Sequence, residues 1–308
     1  MLNEKYMSLA KKLAEAFPNS TVLTEEPMKK HTTFRIGGPA DIYVEPAYCD
    51  ITALLKMLKE EAVDFTVIGN GSNLLVSDDG IEGVVVALGK KAGGIIISGT
   101  TVVVEAGALL STVANVCANA GLTGLEFASG IPGTLGGAVY MNAGAYGGEI
   151  KDVIEAVSVL TKDLERKVFT AEELQLSYRH SILMEEGGYV TDVTLKLSQG
   201  NADEIKARID DIREQRVTKQ PLNFPSAGST FKRPEGYFAG KLIDDAGLRG
   251  YTVGGAQVSE KHCGFVVNKD NASCKDVLEL MHNVDAKVFD KFGVHLTPEV
   301  RIIGRNIN

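Results

Sequence analysis

The chain has 308 residues, 44% hydrophobic and 23% charged, with a net charge of −8. That balance suits a globular protein of two or three domains, and the lack of any basic tract argues against a nucleic-acid partner. No apolar run approaches membrane-span length, the N-terminus lacks a signal peptide's apolar core, and Cys49, Cys117, Cys263 and Cys274 have neither C-x-x-C nor metal-ligand spacing, so a cytoplasmic protein with reduced thiols, no membrane partner and no metal is expected.

In chain order, Tyr6, Leu9, Leu13 and Phe17 share one face of a helix predicted over 3–17. A strand is expected at Asp41-Ile-Tyr-Val-Glu-Pro. A helix capped by Asp50 follows over 51–61, with Ile51, Leu54, Leu55 and Leu58 facing inward. Short strands are expected at 65–68, 84–88, 94–98 and 101–105, then a helix over 112–120, capped by Ser111 and ended by Gly121. Further strands fall near 153–161 and 165–169, a short helix near 171–175, and a strand at 189–197. A charged helix over 202–216, with Ile205, Ile209 and Ile212 apolar, reads as a boundary. Beyond it come a polar loop (219–236), a helix near 238–246, a strand at 264–268, a helix over 273–292 and a strand at 298–303. Helices of crossover length do not separate the early strands regularly, which favours α+β architecture over a doubly wound parallel sheet.

The most unusual stretch is 121–148, with nine glycines: 121, 124, 130, 133, 136, 137, 144, 147 and 148. Such density argues against an ordinary helix, since each interior Gly costs about 1 kcal/mol against Ala. Interspersed Ile131, Leu135, Val139, Tyr140 and Met141 argue against a flexible linker. Two readings remain: a backbone cradle for a ligand, or a Gly-rich turn in a packed core. Gly69-Asn-Gly-Ser-Asn-Leu follows a strand, but Leu74 stands at the third glycine position of G-x-G-x-x-G and no helix opens there. It is therefore not a Rossmann fingerprint, and it reads either as a phosphate-binding nest or as a hairpin turn. Tyr178-Arg179-His180-Ser181 offers a guanidinium for a carboxylate, or a stacked surface arginine. The 225–234 segment presents Ser229 after Gly228, with Lys219, Lys232 and Arg233 nearby, or is a proline-pinned surface loop. Glu299 points either to solvent or into a cleft. The five histidines show no metal spacing.

Taken together and in register, six motifs resemble the UDP-N-acetylenolpyruvoylglucosamine reductase family over about residues 25–303. They are His31-Thr-Thr-Phe-Arg-Ile-Gly-Gly-Pro-Ala-Asp, Gly69-Asn-Gly-Ser-Asn-Leu-Leu-Val, Gly130-Ile-Pro-Gly-Thr-Leu-Gly-Gly-Ala-Val-Tyr-Met-Asn-Ala-Gly-Ala-Tyr-Gly, Tyr178-Arg-His-Ser, Ala227-Gly-Ser-Thr-Phe-Lys-Arg-Pro and Pro298-Glu-Val. The resemblance implies an α+β fold with a two-part FAD-binding region of the vanillyl-alcohol-oxidase type (1–88 and 89–200) and a substrate-binding domain (201–308). It implies a monomeric enzyme with non-covalent FAD that uses NADPH to reduce UDP-N-acetylglucosamine enolpyruvate to UDP-N-acetylmuramate for peptidoglycan.

The resemblance also implies site residues. FAD contacts fall on Arg35; on Gly69, Asn70, Gly71, Ser72, Asn73 and Leu74; on Gly107; on Ser129, Gly130, Ile131, Pro132, Gly133, Gly136 and Gly137; and on Asn142, Gly144 and Ala145. Arg179, Ser229 and Glu299 would be catalytic, and Tyr178, Lys219, Lys232, Arg233 and His262 would contact substrate. Arg179 runs almost directly into the 189–197 strand, which resembles the shorter subtype without a tyrosine-bearing insertion. Arg233 stands where other members have Asn. A related FAD oxidase acting on a sugar or alcohol, or a silent sugar-nucleotide sensor, would share some of these features. The joint presence of Arg179, Ser229 and Glu299 argues against the sensor.

Overall fold

The structure, a computed structural model, describes residues 3–307; positions 1, 2 and 308, the outermost residues of the expected first and third domains, lie outside the described residues. Its contacts divide the chain into two compact units. The first comprises the chain up to Thr24, Ile42–Asn70 and Gly83–Gln215; the second comprises Glu25–Asp41, Gly71–Glu82 and the chain from Arg216.

The first unit begins with the helix Glu4–Ala16, capped by Asn3, whose side chain accepts from the Lys5 amide at 3.0 Å. Leu9, Leu13 and Phe17 are buried along the expected face. The helix Ile51–Glu60 buries Ile51, Leu54, Leu55 and Leu58, each of which contributes about 2 kcal/mol by leaving water. Asp50 does not cap that helix. It closes the 3-10 turn Tyr48–Asp50, and its carboxylate instead accepts from the Ser20 hydroxyl at 3.0 Å. One sheet runs in the order Thr21–Pro27, Pro39–Glu45, Ile81–Ala87, Phe65–Ile68, the last pair parallel with Phe65 opposite Val84. A second, antiparallel throughout, runs Arg166–Thr170, Ile154–Leu160, Tyr189–Lys196, Thr101–Glu105, Ile95–Ser98.

Three further local expectations fail in this unit. The helix Leu110–Asn119 starts before Ser111, which lies inside it and caps nothing, although Gly121 (φ 71°) ends it as expected. Residues 171–175 form a turn, with Leu174 N–H reaching Thr170 O at 3.1 Å, and the short helix falls at Leu183–Glu186 instead. The glycine-rich segment does contain a helix, Leu135–Tyr140. Packing overrides propensity there: a Cβ on Gly136 would lie 2.8 Å from the Ala106 Cβ, so only glycine lets its amide reach Ala106 O, also at 2.8 Å.

The second unit carries the sheet Ser226–Ser229, Phe265–Asn268, Ala256–Val258, Thr252–Val253, all antiparallel. The expected polar loop thus holds a strand, and Lys219 belongs to the end of the helix Ala202–Lys219. The helix Cys274–Phe292 starts with a capping box in which Ser273 and Asp276 exchange side-chain-to-amide bonds. The final strand, Arg301–Ile303, is shorter than expected and pairs parallel with Leu74–Val76. Phe34, Ile36 and Leu75, from far upstream, share this unit's core with Leu242, Val266 and Leu280. Helices beside mostly antiparallel sheets make the fold α+β, as the sequence indicates.

Candidate active site

The six motifs collapse into two side-chain and backbone constellations, one in each unit. In the first unit, Asn70 Nδ2 donates to Pro132 O at 2.5 Å. A Cβ on Gly69 would meet Thr134 Oγ1 at 2.1 Å, so glycine alone lets the two loops touch. Leu110 N–H donates to Gly133 O at 2.9 Å, Leu135 N–H to Ala108 O at 2.8 Å, and Ile131 N–H to Ala128 O at 3.0 Å. Ser129 Oγ is engaged locally, donating to Glu126 O at 2.8 Å. Gly107 is buried, and its Cβ would strike Gly89 O at 2.2 Å. Gly130, Pro132, Gly133, Gly136 and Gly137 thus form a rim of backbone, part-exposed and almost without side-chain bulk. Such a rim suits a ligand that bears phosphates and a ribityl chain, because peptide dipoles reach it closely.

The same unit holds Arg179. Ser177 and His180 exchange backbone hydrogen bonds at 3.2 Å around the two-residue turn Tyr178–Arg179, and Arg179 takes the left-handed conformation with φ 55°. Its Nη2 donates to Gly144 O at 3.2 Å, and its guanidinium lies 5.1 Å from the Tyr178 ring centroid. Ser181 Oγ donates to Tyr140 O at 2.5 Å. Asn142 is fully buried, and its side chain is spent on protein groups: Nδ2 donates to Ser177 O and to Glu149 Oε2, and Oδ1 accepts from Lys151 N–H. Ala145 pairs with Gly148 in a two-stranded hairpin.

The other three motifs meet the rest of the 69–76 motif in the second unit. Gly71 (φ 60°) would place a Cβ 2.1 Å from His31 O. Thr33 Oγ1 donates to Ser226 O at 2.7 Å and lies 3.4 Å from Ser72 O. Asn73 Nδ2 donates to Glu299 O at 3.1 Å, and Glu299 N–H donates to Thr230 O at 2.8 Å. Ser229 and Glu299 are therefore brought together through the neighbouring residue Thr230. The register shift between Ser226 and Ser229, opposite Val267 and Phe265, makes a bulge at Ala227–Gly228, with Gly228 at φ 77°. Ser229 is exposed at its end, and its hydroxyl has no protein partner among the described residues. The His262 ring packs edge-on against Phe265, the residue opposite Ser229, at 5.1 Å. Burial holds its pKa below the ordinary value. Its Nδ1 accepts from Gly264 N–H at 3.1 Å, which puts the neutral ring's proton on Nε2.

The remaining expected contacts are placed less tightly. Lys232 N–H donates to Thr297 O at 2.8 Å, while the exposed Arg233 guanidinium lies 4.1 Å over the Phe238 ring. Lys219 is exposed, and Arg35 is exposed with φ 55°. Leu74 opens the strand that pairs with Arg301–Ile303. Sequence reading missed Thr33, Thr134, Thr230 and Glu149, whose roles appear only as contacts between distant segments. For Glu149, the pattern Gly147-Gly148-Glu149, closing the glycine stretch, was the available signal.

Family models for an FAD binding domain and for the UDP-N-acetylenolpyruvoylglucosamine reductase C-terminal domain match residues 40–166 and 220–303. The reductase of Agathobacter rectalis is 55% identical, covering 96% of this chain and 98% of its own length. That of Caldanaerobacter subterraneus is 51% identical over the same shares. The chain belongs to the UDP-N-acetylenolpyruvoylglucosamine reductase family. The crystal structure of the Thermus caldophilus reductase superimposes with a TM-score of 0.78 at 37% identity, covering 92% of this chain and 98% of that one. In this reductase the segment between Arg179 and the strand Tyr189–Lys196 holds just one short helix, Leu183–Glu186. Among its described residues no helix is long and apolar enough to cross a membrane.

Proposed function

We propose that this reductase converts UDP-N-acetylglucosamine enolpyruvate to UDP-N-acetylmuramate with electrons from NADPH, and that Arg179, Ser229 and Glu299 carry the chemistry. The observation that carries the assignment is Ser229: a bulge presents its hydroxyl, the fold does not consume it, and the adjacent residue is tied to Glu299. Non-covalent FAD would be held by Arg35, by the 69–74 and 129–137 segments, by Gly107, and by Gly144 and Ala145; Asn142 contributes there through its backbone. Bound there, FAD would supply the hydride, drawn from NADPH, that the terminal carbon of the enolpyruvyl group requires.

Reduction at that carbon leaves negative charge on its neighbour, spread into the carboxylate. Arg179 stabilises it, because a guanidinium grips a carboxylate through two hydrogen bonds in a site of low dielectric constant. Ser229 Oγ supplies the proton that the neighbouring carbon requires. Two bare carboxylates repel, so Glu299 acts either protonated or bridged by Arg179 or water. Tyr178, Lys219, Lys232, Arg233 and His262 bind the rest of the sugar nucleotide. We assign residues 1–88, with the four-stranded sheet that begins at Thr21–Pro27, and 89–200, with the five-stranded sheet, to the two halves of the FAD-binding region, and 201–308 to the substrate domain. We further assign this reductase as a cytoplasmic monomer; its net charge of −8 speaks against nucleic-acid and anionic membrane partners.

In an anaerobic cuvette, NADPH should bleach the flavin, and the enolpyruvyl substrate should restore its colour without oxygen. Ser229→Ala should leave bleaching nearly normal and slow recolouring at least roughly 10²-fold. Stopped-flow traces with both halves slowed equally would overturn the Ser229 assignment.

A further inference from the structure

The turn that carries Arg179 is held in a conformation its own sequence does not favour. A non-glycine residue in the left-handed region costs about 1 kcal/mol or more, and it persists where neighbours over-determine it. The neighbour here is Asn142, itself left-handed at φ 44° and fully buried. One of its amide hydrogens goes to Ser177 O at 2.9 Å, the residue that opens the Tyr178–Arg179 turn. The other goes to Glu149 Oε2 at 3.0 Å, and Oδ1 takes the Lys151 amide at 3.1 Å.

Glu149 lies beside the strand that receives the other end of the arginine. It pairs across the hairpin with Gly144, whose carbonyl receives Arg179 Nη2. A Cβ on Gly144 would lie 2.7 Å from Glu149 Cγ, so the glycine brings the acidic side chain against the strand that holds the guanidinium. Lys151 Nζ bonds the carboxylate at 2.7 Å. That bond leads the causes that keep the Glu149 carboxyl below the ordinary glutamate value. Burial opposes it, while the Asn142 hydrogen bond and the charges of Lys151 and Arg179 reinforce it. Glu149 is therefore a carboxylate at neutral pH.

We propose that Asn142 and Glu149 are positioning residues for Arg179: Asn142 holds the backbone of its turn, and Glu149 holds its guanidinium in one orientation against Gly144. This rests on the reading of Arg179 as the group that grips the substrate carboxylate. Neither residue touches substrate or cofactor through its side chain in this scheme; each acts through the arginine.

The test is a double-mutant cycle on the FAD-loaded enzyme, read as the rate at which the enolpyruvyl substrate reoxidises NADPH-reduced flavin. Glu149→Gln keeps the shape and removes the charge. It should slow reoxidation about tenfold and raise KM for the enolpyruvyl substrate, with the flavin spectrum unshifted. In an Arg179→Ala background the same substitution should change the rate less than about twofold, because the arginine it acts through is gone. An equal penalty in both backgrounds, or wild-type reoxidation in Glu149→Gln, overturns the proposal. If Arg179→Ala alone reoxidises at the wild-type rate, the catalytic reading of Arg179 fails, and the positioning proposal with it. Asn142→Asp, which loses the donor to Ser177, gives a second cycle with the same expected pattern should Glu149→Gln not retain flavin.

Discussion

Glycines in this reductase do two separable jobs, and single substitutions should tell them apart. Gly69 is a contact glycine: its missing Cβ leaves room for the buried Thr134 hydroxyl, 2.1 Å from where that Cβ would sit. Gly69→Ala must push the 69–70 and 132–134 loops apart, and overpacking of this kind costs about 1–3 kcal/mol. The expected outcome is a folded protein that loses flavin on purification; full flavin occupancy with unchanged melting would contradict the cradle. Gly228 is a conformational glycine, with φ 77° and open space around its Cβ position. Gly228→Ala should cost only about 1 kcal/mol of stability, yet tilt the bulge that presents Ser229 and slow flavin reoxidation. Both glycines were legible as small residues in motif loops. Which of them is steric and which conformational was not, because the colliding atoms come from residues far along the chain.

Among the elements, the helix Cys274–Phe292 shows how much of a helix end is written locally. Ser273 and Asp276 have capping-box spacing, and both cap bonds form, at 3.0 and 2.9 Å. Asp78, almost two hundred residues upstream, adds bonds to the amides of Cys274 and Lys275 at 2.9 and 3.3 Å, which no local pattern announces. Burial raises the Asp276 pKa, but the amides of Ser273 and Gly255 and the Ser273 hydroxyl outweigh it, so the folded value lies below the ordinary 3.8. A depressed carboxyl stabilises the fold above its unfolded value and loses that contribution as pH falls through the folded one. Melting temperature should therefore drop as the solution is acidified below 3.8. Asp276→Asn should be less stable than wild type at neutral pH and show a shallower acid decline. A parallel decline in both proteins would remove Asp276 from the account. At Asp50 and Ser111 the same kind of pattern makes no cap, because Asp50 closes a 3-10 turn and bonds Ser20, and Ser111 lies inside a helix that starts one residue earlier.

For the whole molecule, the two units are not two sequence segments. The second unit's core takes Phe34, Ile36 and Leu75 from the early chain, and the strand Arg301–Ile303 finds its partner at Leu74–Val76. A fragment of residues 216–308 lacks all of these. It should not unfold cooperatively, since it leaves an unpaired strand and a core short of three large apolar side chains. A sharp thermal transition and dispersed amide resonances from that fragment would show that the late chain folds alone. Sequence reading placed a boundary near the charged helix at 202, and the helix is there; the early segments that complete the second unit carry no compositional mark.

What the sequence determined by itself is what depends on period and spacing. The faces of the N-terminal and 51–60 helices, the approximate positions of most strands, the α+β class and the six motifs follow from side-chain periodicity and from residues close together in the chain. The structure decided what depends on distant atoms meeting. It placed a helix in the glycine stretch against Ala106, a bulge under Ser229, Thr33 as the tie between two loops, and Asn142 and Glu149 behind Arg179. Proline aside, local propensities amount to about 1 kcal/mol per residue at most, whereas a steric overlap or an unpaired buried polar group costs about 1–3 kcal/mol or more. Where the two conflicted, tertiary packing prevailed.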